Sequence, residues 1–509
     1  MNIRWPFFLN YNFFAVLFFT AIALFLNLMY LPLPSLWVDE AWLANVSKEP
    51  ISVIVSKLLT TDAHLPVYYL IIKFTRLIFG GSEAALRFPA LLFGLSLVPT
   101  VYFFGKELFS KRVGLWAAFL AATSYFIIWF SHQARMYTLA ALLSVLSSYF
   151  FARLLKNFNR KNFLFYVLFG VLGVYTHYWL ILVLFSHFVF LVLSLRKIKI
   201  RELYPYFLAQ IIIFLFFLPW LLGYLLKATI RGSNAWIGKA SVKHLFESFD
   251  YFTYGQFWIF FIFGLTGLVF LIIQKLKEKT KSEEIFGLFL VNCLFWVPLL
   301  IALLVSQFFP IYTPGRREIV VLPAFLVLAA YLFSRISSRI VSFFAMVLFL
   351  AMIIFKILNV NHSTQSYRFS DKIAANAILN KMSERDSVIF TDLARPTFEY
   401  YFDLEKEKSG LEPIKFSFPV FMQTNPTRGD WLDKLEADEI KSKEEAVELI
   451  DEIIKTGSNG KVFVIYRERP LDKLLIDEMN NRMRLVYTIQ PVQPRMAGWF
   501  DSVLVFDKK

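Results

Sequence analysis

Long apolar runs separated by short polar hairpins fill most of the chain, and the pattern changes near residue 359. A membrane-spanning helix needs about 20 mostly apolar residues. Eleven segments fit: 8–31, 86–105, 113–130, 135–152, 163–176, 178–195, 203–226, 256–274, 286–307, 319–334 and 340–358. Eleven spans is the working count and thirteen its upper bound. Residues 65–79 (LPVYYLIIKFTRLIF) are apolar but short, and they carry Lys73 and Arg76. After residue 359 the period changes. Helices are predicted at 370–384, 396–403 and 443–456, and strands at 386–391, 461–466, 484–490 and 502–507. Strands alternating with helices read as a small α/β domain with a mostly parallel sheet. Gly457-Ser458-Asn459-Gly460 precedes a strand, so it is a turn and not a phosphate loop. The chain therefore divides into a polytopic α-helical membrane domain, 1–358, and a C-terminal extramembrane α/β domain, 359–509.

Composition sharpens this picture. Of 509 residues, 57% are hydrophobic and 18% charged, against roughly a quarter charged in soluble chains. Mean hydropathy is +0.56. A soluble enzyme, a disordered chain and a nucleic-acid-binding module are excluded. The one cysteine, Cys293, lies in an apolar run, which rules out an intramolecular disulfide and a cysteine zinc site. Residues 1–358 hold 31 Lys and Arg against 13 Asp and Glu; residues 359–509 hold 22 against 25. The basic excess belongs to the membrane domain.

Charge bias then orients the spans. If 65–79 lies in the interface as an amphipathic helix, the basic hairpins 106–112, 153–161, 196–201, 275–281 and 335–339 all fall on one side. That side is the cytoplasmic one by the positive-inside rule. Arg4 precedes the first span and no small-residue cleavage site follows it, so a retained anchor is expected. The protein reads as integral to a plasma or inner membrane, with the N-terminus cytoplasmic and the C-terminal domain outside.

The outer face still carries Lys48, Lys57, Arg87, Arg135, Lys227, Arg231, Lys239, Lys243, Arg316 and Arg317. Cations at the outer boundary suit anions, of which lipid phosphate is the nearest. In the first outer loop Asp39 and Glu40 stand together between Trp37 and Trp42. Adjacent carboxylates after an apolar span are costly unless they work or are paired. Asp39 is also a candidate N-cap for a helix over 40–48, with Glu40 in its first turn. His64 ends the same loop. Arg135 opens a helix, where the dipole does not favour a cation, so it calls for Asp39, Glu40 or a ligand anion. Tyr137 follows it. His177 and Tyr178 sit at boundary depth in the next outer turn, and Tyr312, Arg316 and Arg317 in a later one. Two adjacent arginines suit a phosphate held bidentately, unless Glu318 pairs with one.

Taken in order, Asp39-Glu40, His64-Leu65-Pro66, Ser82-Glu83 with Leu86-Arg87-Phe88-Pro89, Ala134-Arg135-Met136-Tyr137, Thr176-His177-Tyr178 and Arg316 with Leu322-Pro323-Ala324 resemble a known set. It is similar to the GT-C polytopic glycosyltransferases of the protein O-mannosyltransferase type, glycosyltransferase family 39, to which lipid A aminoarabinose transferases are related. The resemblance covers roughly 1–340. It implies inverting transfer of a sugar from a polyprenyl-phosphate-linked donor at the outer membrane face. It further implies Asp39 as catalytic base, Glu40 as the neighbouring acid, and Arg135 and Arg316 as the cations. Two departures stand out: Leu65 where the family often has a first proline, and Arg317 where it often has tyrosine. Which arginine meets the phosphate stays open.

The chemistry agrees with the resemblance. Removing a sugar from a lipid phosphate needs a base for the acceptor hydroxyl and cations for the departing phosphate. That leaving group departs as a stabilised anion, so neither a general acid nor a cofactor is required. Asp39 and Glu40 with His64 and His177 are also donors for a divalent metal, an alternative that stays open. The expected partners are a polyprenyl-phosphate sugar, a hydroxyl acceptor (protein, glycolipid or envelope glycan) and membrane lipid, with no nucleic acid. A transporter or flippase for a lipid-linked saccharide is the competing reading. Its pointers are repeated halves and broken mid-membrane helices, and no repeated halves are seen.

Overall fold

The computed structural model describes residues 11–29, 35–60, 64–194, 200–225, 239–253, 282–336, 338–364, 370–381, 386–391, 395–409, 420–422, 450, 461–466, 470–489 and 502–508. The expected span 256–274, most of the expected helix 443–456, and Lys227 and Arg231 lie outside these residues.

The first outer loop folds into three short helices between two long ones. Helix α1 (Tyr11–Met29) is followed by α2 (Val38–Val46), α3 (Ile51–Thr60) and α4 (Pro66–Phe79), then α5 (Glu83–Leu108). Then come α6 (Lys111–Ala122), α7 (Tyr125–Ser131), α8 (Tyr137–Lys156), α9 (Arg160–Val174), α10 (Trp179–Ser194) and α11 (Ile200–Trp220). Next follow α12 (Val242–Thr253), α13 (Ser282–Val305), a 3-10 turn (Arg317–Val321), α14 (Leu322–Phe333) and α15 (Arg339–Thr364). Six described helices are long and apolar enough to cross a membrane, and α6 with α7, bent by 52°, makes a seventh candidate. The expected spans 163–176, 178–195 and 319–334 fall on the shorter helices α9, α10 and α14.

Helix α4 forms where an interfacial helix was expected. Pro66 suits its first turn, where a missing N–H costs nothing. At 14 residues it is roughly 21 Å long, short of the roughly 30 Å hydrocarbon core. It buries Tyr68, Tyr69, Ile72 and Thr75 while Leu77, Ile78 and Phe79 stay exposed. Lys73 donates to the Glu49 carbonyl at 2.7 Å, tying α4 to the turn between α2 and α3.

Helix α5 is the central strut, packing against α6 and α8. A Cβ on Gly114 would lie 2.6 Å from the Tyr102 carbonyl, and one on Gly105 would lie 3.3 Å from Gly114 Cα. The paired glycines let α5 and α6 close backbone to backbone, as small residues do between membrane helices. The hairpins at the far end of α5 meet one another. Lys156 pairs with Glu107, Arg112 donates to the Ile336 carbonyl, and Arg335 pairs with Glu284 at 3.1 Å. Three of the basic hairpins thus gather at one end of the bundle, opposite the acidic loop.

The C-terminal region forms α16 (Ser370–Leu379), β1 (Ser387–Thr391), α17 (Arg395–Ser409), β2 (Val420–Met422), β3 (Val462–Tyr466), α18 (Pro470–Arg482), β4 (Met483–Ile489) and β5 (Ser502–Lys508). The four expected strands are present and β2 is added. The sheet order is β2-β1-β3-β5-β4. Strands β2, β1 and β3 are parallel neighbours, whereas β5 is antiparallel to both β3 and β4. Four strands therefore share a direction and β5 is inserted against them. The difference from a parallel reading has a simple cause: α18 carries the chain from β3 across to β4, and the last strand fills the gap left between them. Strand β3 is buried on both faces. Phe463 and Ile465 join Phe398, Tyr401 and the membrane helices in one continuous core, while Val462 and Val464 face Leu475 and Met479 in a second.

Candidate active site

The acidic pair enters on α2, but the cap is not Asp39. The helix begins at Val38 with Trp37 as the residue before it, so Asp39 and Glu40 both lie in the first turn. Glu40 reaches back and accepts the Trp37 N–H at 3.3 Å. Asp39 is thereby spared the capping task assigned to it from sequence.

The two carboxylates have different surroundings. Glu40 is fully buried. It takes Arg87 Nε on Oε1 at 2.8 Å and Arg87 Nη2 on Oε2 at 2.6 Å, and accepts the Ala134 N–H at 2.6 Å. This is a bidentate, charge-assisted pair, with Arg87 also donating to the Ser35 carbonyl at 3.3 Å. Asp39 keeps 23% of its side chain exposed, and its Oδ2 lies 3.9 Å from both Arg135 Nη2 and Arg316 Nη1. One carboxylate is an anchor; the other stands in a cationic mouth open to ligand.

Arg135 has the partner its helix-opening position demanded. Its Nη1 donates to the Asp39 carbonyl at 3.2 Å and its Nη2 lies 2.5 Å from His64 Nε2. A guanidinium is always a donor, so His64 accepts on Nε2 and carries its proton on Nδ1. The Arg135 guanidinium thus stands close to both Asp39 and His64. Among the described residues no three His, Cys, Asp or Glu side chains converge as a metal site.

The late loop supplies the second cation. Arg316 lies 4.9 Å over the Trp37 ring and 41% exposed. Arg317 is buried behind it and donates to the Ile311 carbonyl at 3.1 Å. Glu318 forms no ion pair with either arginine side chain among the described residues, so the alternative the sequence left open is not taken. Its carboxylate instead accepts the backbone N–H of Gly315 and, at 3.1 Å, of Arg316, plus the Ser248 hydroxyl at 3.2 Å. Gly315 has φ +83° and abuts the Tyr251 ring, a conformation glycine adopts without strain. The turn therefore projects Arg316 towards Asp39.

Burial raises the Glu318 carboxyl to about 7, against the lowering pull of the backbone N–H groups it accepts. The folded chain binds this proton more tightly than the unfolded one. The associated stability is complete below the ordinary 4.5 and is lost as pH rises through about 7. Wild-type thermal stability should fall between roughly pH 5 and 8, and Glu318→Gln should flatten that fall. Equal slopes in the two proteins would count against the assignment.

His177 is buried between the same groups. Burial, with Arg317, His64 and Arg135 nearby, lowers its pKa to about 3, so it is neutral. Its Nδ1 accepts the Trp179 N–H at 3.2 Å. The Tyr137 ring lies 6.1 Å away, and the Tyr178 hydroxyl accepts from Trp220 Nε1 at 3.3 Å. Tyr312 is displaced from the site: fully buried, its hydroxyl meets Ser248 at 2.8 Å and holds the late loop. The structure thus gathers Asp39, Glu40, His64, Arg135 and Arg316, with Tyr137, His177 and Arg317 behind them.

Sequence reasoning left out Arg87, Trp37 and Tyr68 as site residues. Arg87 carried a signal, being a cation in the first turns of an apolar helix that must find a counter-ion. Tyr68 carried none. Its buried hydroxyl has no hydrogen-bond partner among the described residues, and Glu40 and Arg135 both act on it electrostatically.

Residues 63–222 match the family of dolichyl-phosphate-mannose-protein mannosyltransferases. The match includes His64, Arg135, Tyr137, His177 and Tyr178; the acidic pair and the late arginines lie outside it. No curated protein sequence matches the chain significantly. The fold is similar to that of ArnT from Cupriavidus metallidurans bound to undecaprenyl phosphate, at TM-score 0.66 and 13% identity, covering 96% of this chain and 97% of that one. It is also similar to the archaeal oligosaccharyltransferase AglB from Archaeoglobus fulgidus, in complex with an inhibitory peptide and a dolichol-phosphate. There the TM-score is 0.54 and the identity 12%, over 89% of this chain and 69% of that one. The resemblance read from sequence is borne out: residues 63–222 match the family model of the dolichyl-phosphate-mannose-protein mannosyltransferases, and the fold is similar to those of ArnT and AglB.

Proposed function

We propose that this protein transfers a sugar from a polyprenyl-phosphate-linked donor to a hydroxyl acceptor, with inversion, at the outer face of a plasma or inner membrane. The observation carrying this reading is the Asp39 carboxylate, partly exposed and equidistant from two guanidiniums. Asp39 takes the acceptor proton as the hydroxyl oxygen attacks the anomeric carbon. The bond from that carbon to the phosphate oxygen breaks on the opposite side. Arg316, with Arg135 beside it, receives the departing phosphate as a preorganised counter-charge. Glu40 holds the loop and takes no proton. Tyr68 offers its hydroxyl to the sugar.

Several features support the reading. ArnT, whose fold this chain shares, was captured with undecaprenyl phosphate. The basic hairpins gather away from the acidic loop, which fits a cytoplasmic end and an outer active site. The C-terminal region from about residue 359 packs on the acidic-loop side, so it too is assigned to the outside.

The test is reconstitution of the full chain in lipid with polyprenyl-phosphate sugars and an envelope extract as acceptor source. Acceptor-dependent release of polyprenyl phosphate, with sugar of inverted configuration in the product, is the expected outcome. Lipid moving between leaflets with no release under any donor would replace the enzyme by a flippase.

A further inference from the structure

The acidic loop is held from two sides, and one side is the C-terminal region. Helix α17 packs along α2, the helix that carries Asp39. Tyr401 of α17 is buried. Its hydroxyl accepts the Leu36 N–H at 2.7 Å and donates to Glu83 Oε1 at 2.5 Å. Lys372 of α16 occupies the other oxygen of Glu83 at 3.0 Å. The neighbouring Tyr400 donates to the Gly81 carbonyl at 2.9 Å, Asn45 donates to the Pro396 carbonyl at 2.9 Å, and Lys48 pairs with Asp403.

Geometry makes one hydroxyl the meeting point of these elements. Leu36 stands three residues before Asp39, just ahead of the α2 N-terminus. Glu83 and Arg87 are four residues apart on α5, hence on one face. Arg87 holds Glu40, and Glu83 holds Tyr401 and Lys372. The N-terminal turn of α2 is therefore fixed at its backbone by the C-terminal region and at Glu40 by α5. Tyr401 links the two supports.

We propose that Tyr401 is a positioning residue for Asp39, and that the C-terminal region, through Tyr401 and Lys372, clamps the acidic loop in its working geometry. This rests on the transfer reading of the Asp39 site. It gives the C-terminal region a role in rate, distinct from recognition of the acceptor.

The test uses the full chain in lipid nanodiscs, as wild type, Tyr401→Phe, Lys372→Met and Asp39→Asn. Tyr401→Phe removes one oxygen and keeps the ring packing. Amide hydrogen exchange over 35–46 should quicken about tenfold in Tyr401→Phe, because local opening needs one fewer hydrogen bond broken. Its kcat should fall about tenfold while donor and acceptor KM stay within about twofold, the pattern of lost transition-state alignment. Lys372→Met should move both readouts the same way and by less, and it carries the test if Tyr401→Phe does not fold. Unchanged exchange and kcat would overturn the clamp. A raised acceptor KM with kcat intact would overturn it too, replacing positioning by acceptor binding. The exchange readout separates this proposal from the one it rests on. If Asp39→Asn transferred sugar at the wild-type rate, the assignment of the base would fall, while quickened exchange in Tyr401→Phe would still support the clamp.

Discussion

Asp39→Asn lowers glycosyl transfer by about 10²–10⁴-fold, the range a positioned general base contributes. The substitution is close to isosteric, and among the described residues the side chain it replaces is held by contacts of 3.9 Å. The fold should therefore survive, with an unchanged unfolding midpoint. Donor KM should stay near wild type, because the phosphate contacts proposed above are guanidiniums. Affinity for polyprenyl phosphate itself should hold or tighten, since an anion beside both arginines has gone. Loss of turnover with retained binding is the signature of an interaction made in the transition state. Turnover within threefold of wild type would move the base elsewhere.

Arg87→Met should be the most damaging single change to the fold. The guanidinium and the Glu40 carboxylate are 4% and 0% exposed, so the substitution leaves a buried charge with no counter-ion. Breaking such a pair costs about 3–5 kcal/mol. Glu40 also orders the turn before Arg135 through the Ala134 N–H, so activity should fall with stability. The double variant Glu40→Leu with Arg87→Met tells the two losses apart. Removing both charges should recover much of the stability, because the desolvation cost goes with the pair. Transfer should stay low, because the contacts fixing the α2 and Arg135 turns are gone. Full activity in the double variant would show that the pair does not position the site.

The contrast between these two carboxylates marks what the sequence carries. That Asp39, Glu40, His64, Arg135 and Arg316 matter is legible, because polar groups at the ends of apolar runs are costly and each needs a reason. Helix α4 is legible from its length and its two embedded cations. Which acid is free is not legible, because it depends on Arg87, 47 residues away. Whether Glu318 pairs with an arginine side chain was left open by the sequence; it meets backbone N–H groups, an arrangement set by the φ of Gly315 and invisible to charge pattern. The insertion of β5 was hidden for a similar reason, since strand propensity says nothing about direction. The Tyr401 contact joins residues 365 apart, beyond any local signal.

That separation also sets an order of events during synthesis. Leu36 leaves the ribosome 365 residues before Tyr401, roughly 20–70 s at usual elongation rates. Arg316 arrives within that interval, and the clamp arrives last. A half-made chain thus has its acid without its cation, and then both without the brace that aligns them. On the clamp proposal, full transfer activity begins only after Tyr401 has been made and α17 has packed on α2. On that proposal, incompletely made chains consume the lipid-linked donor around them more slowly than the finished one.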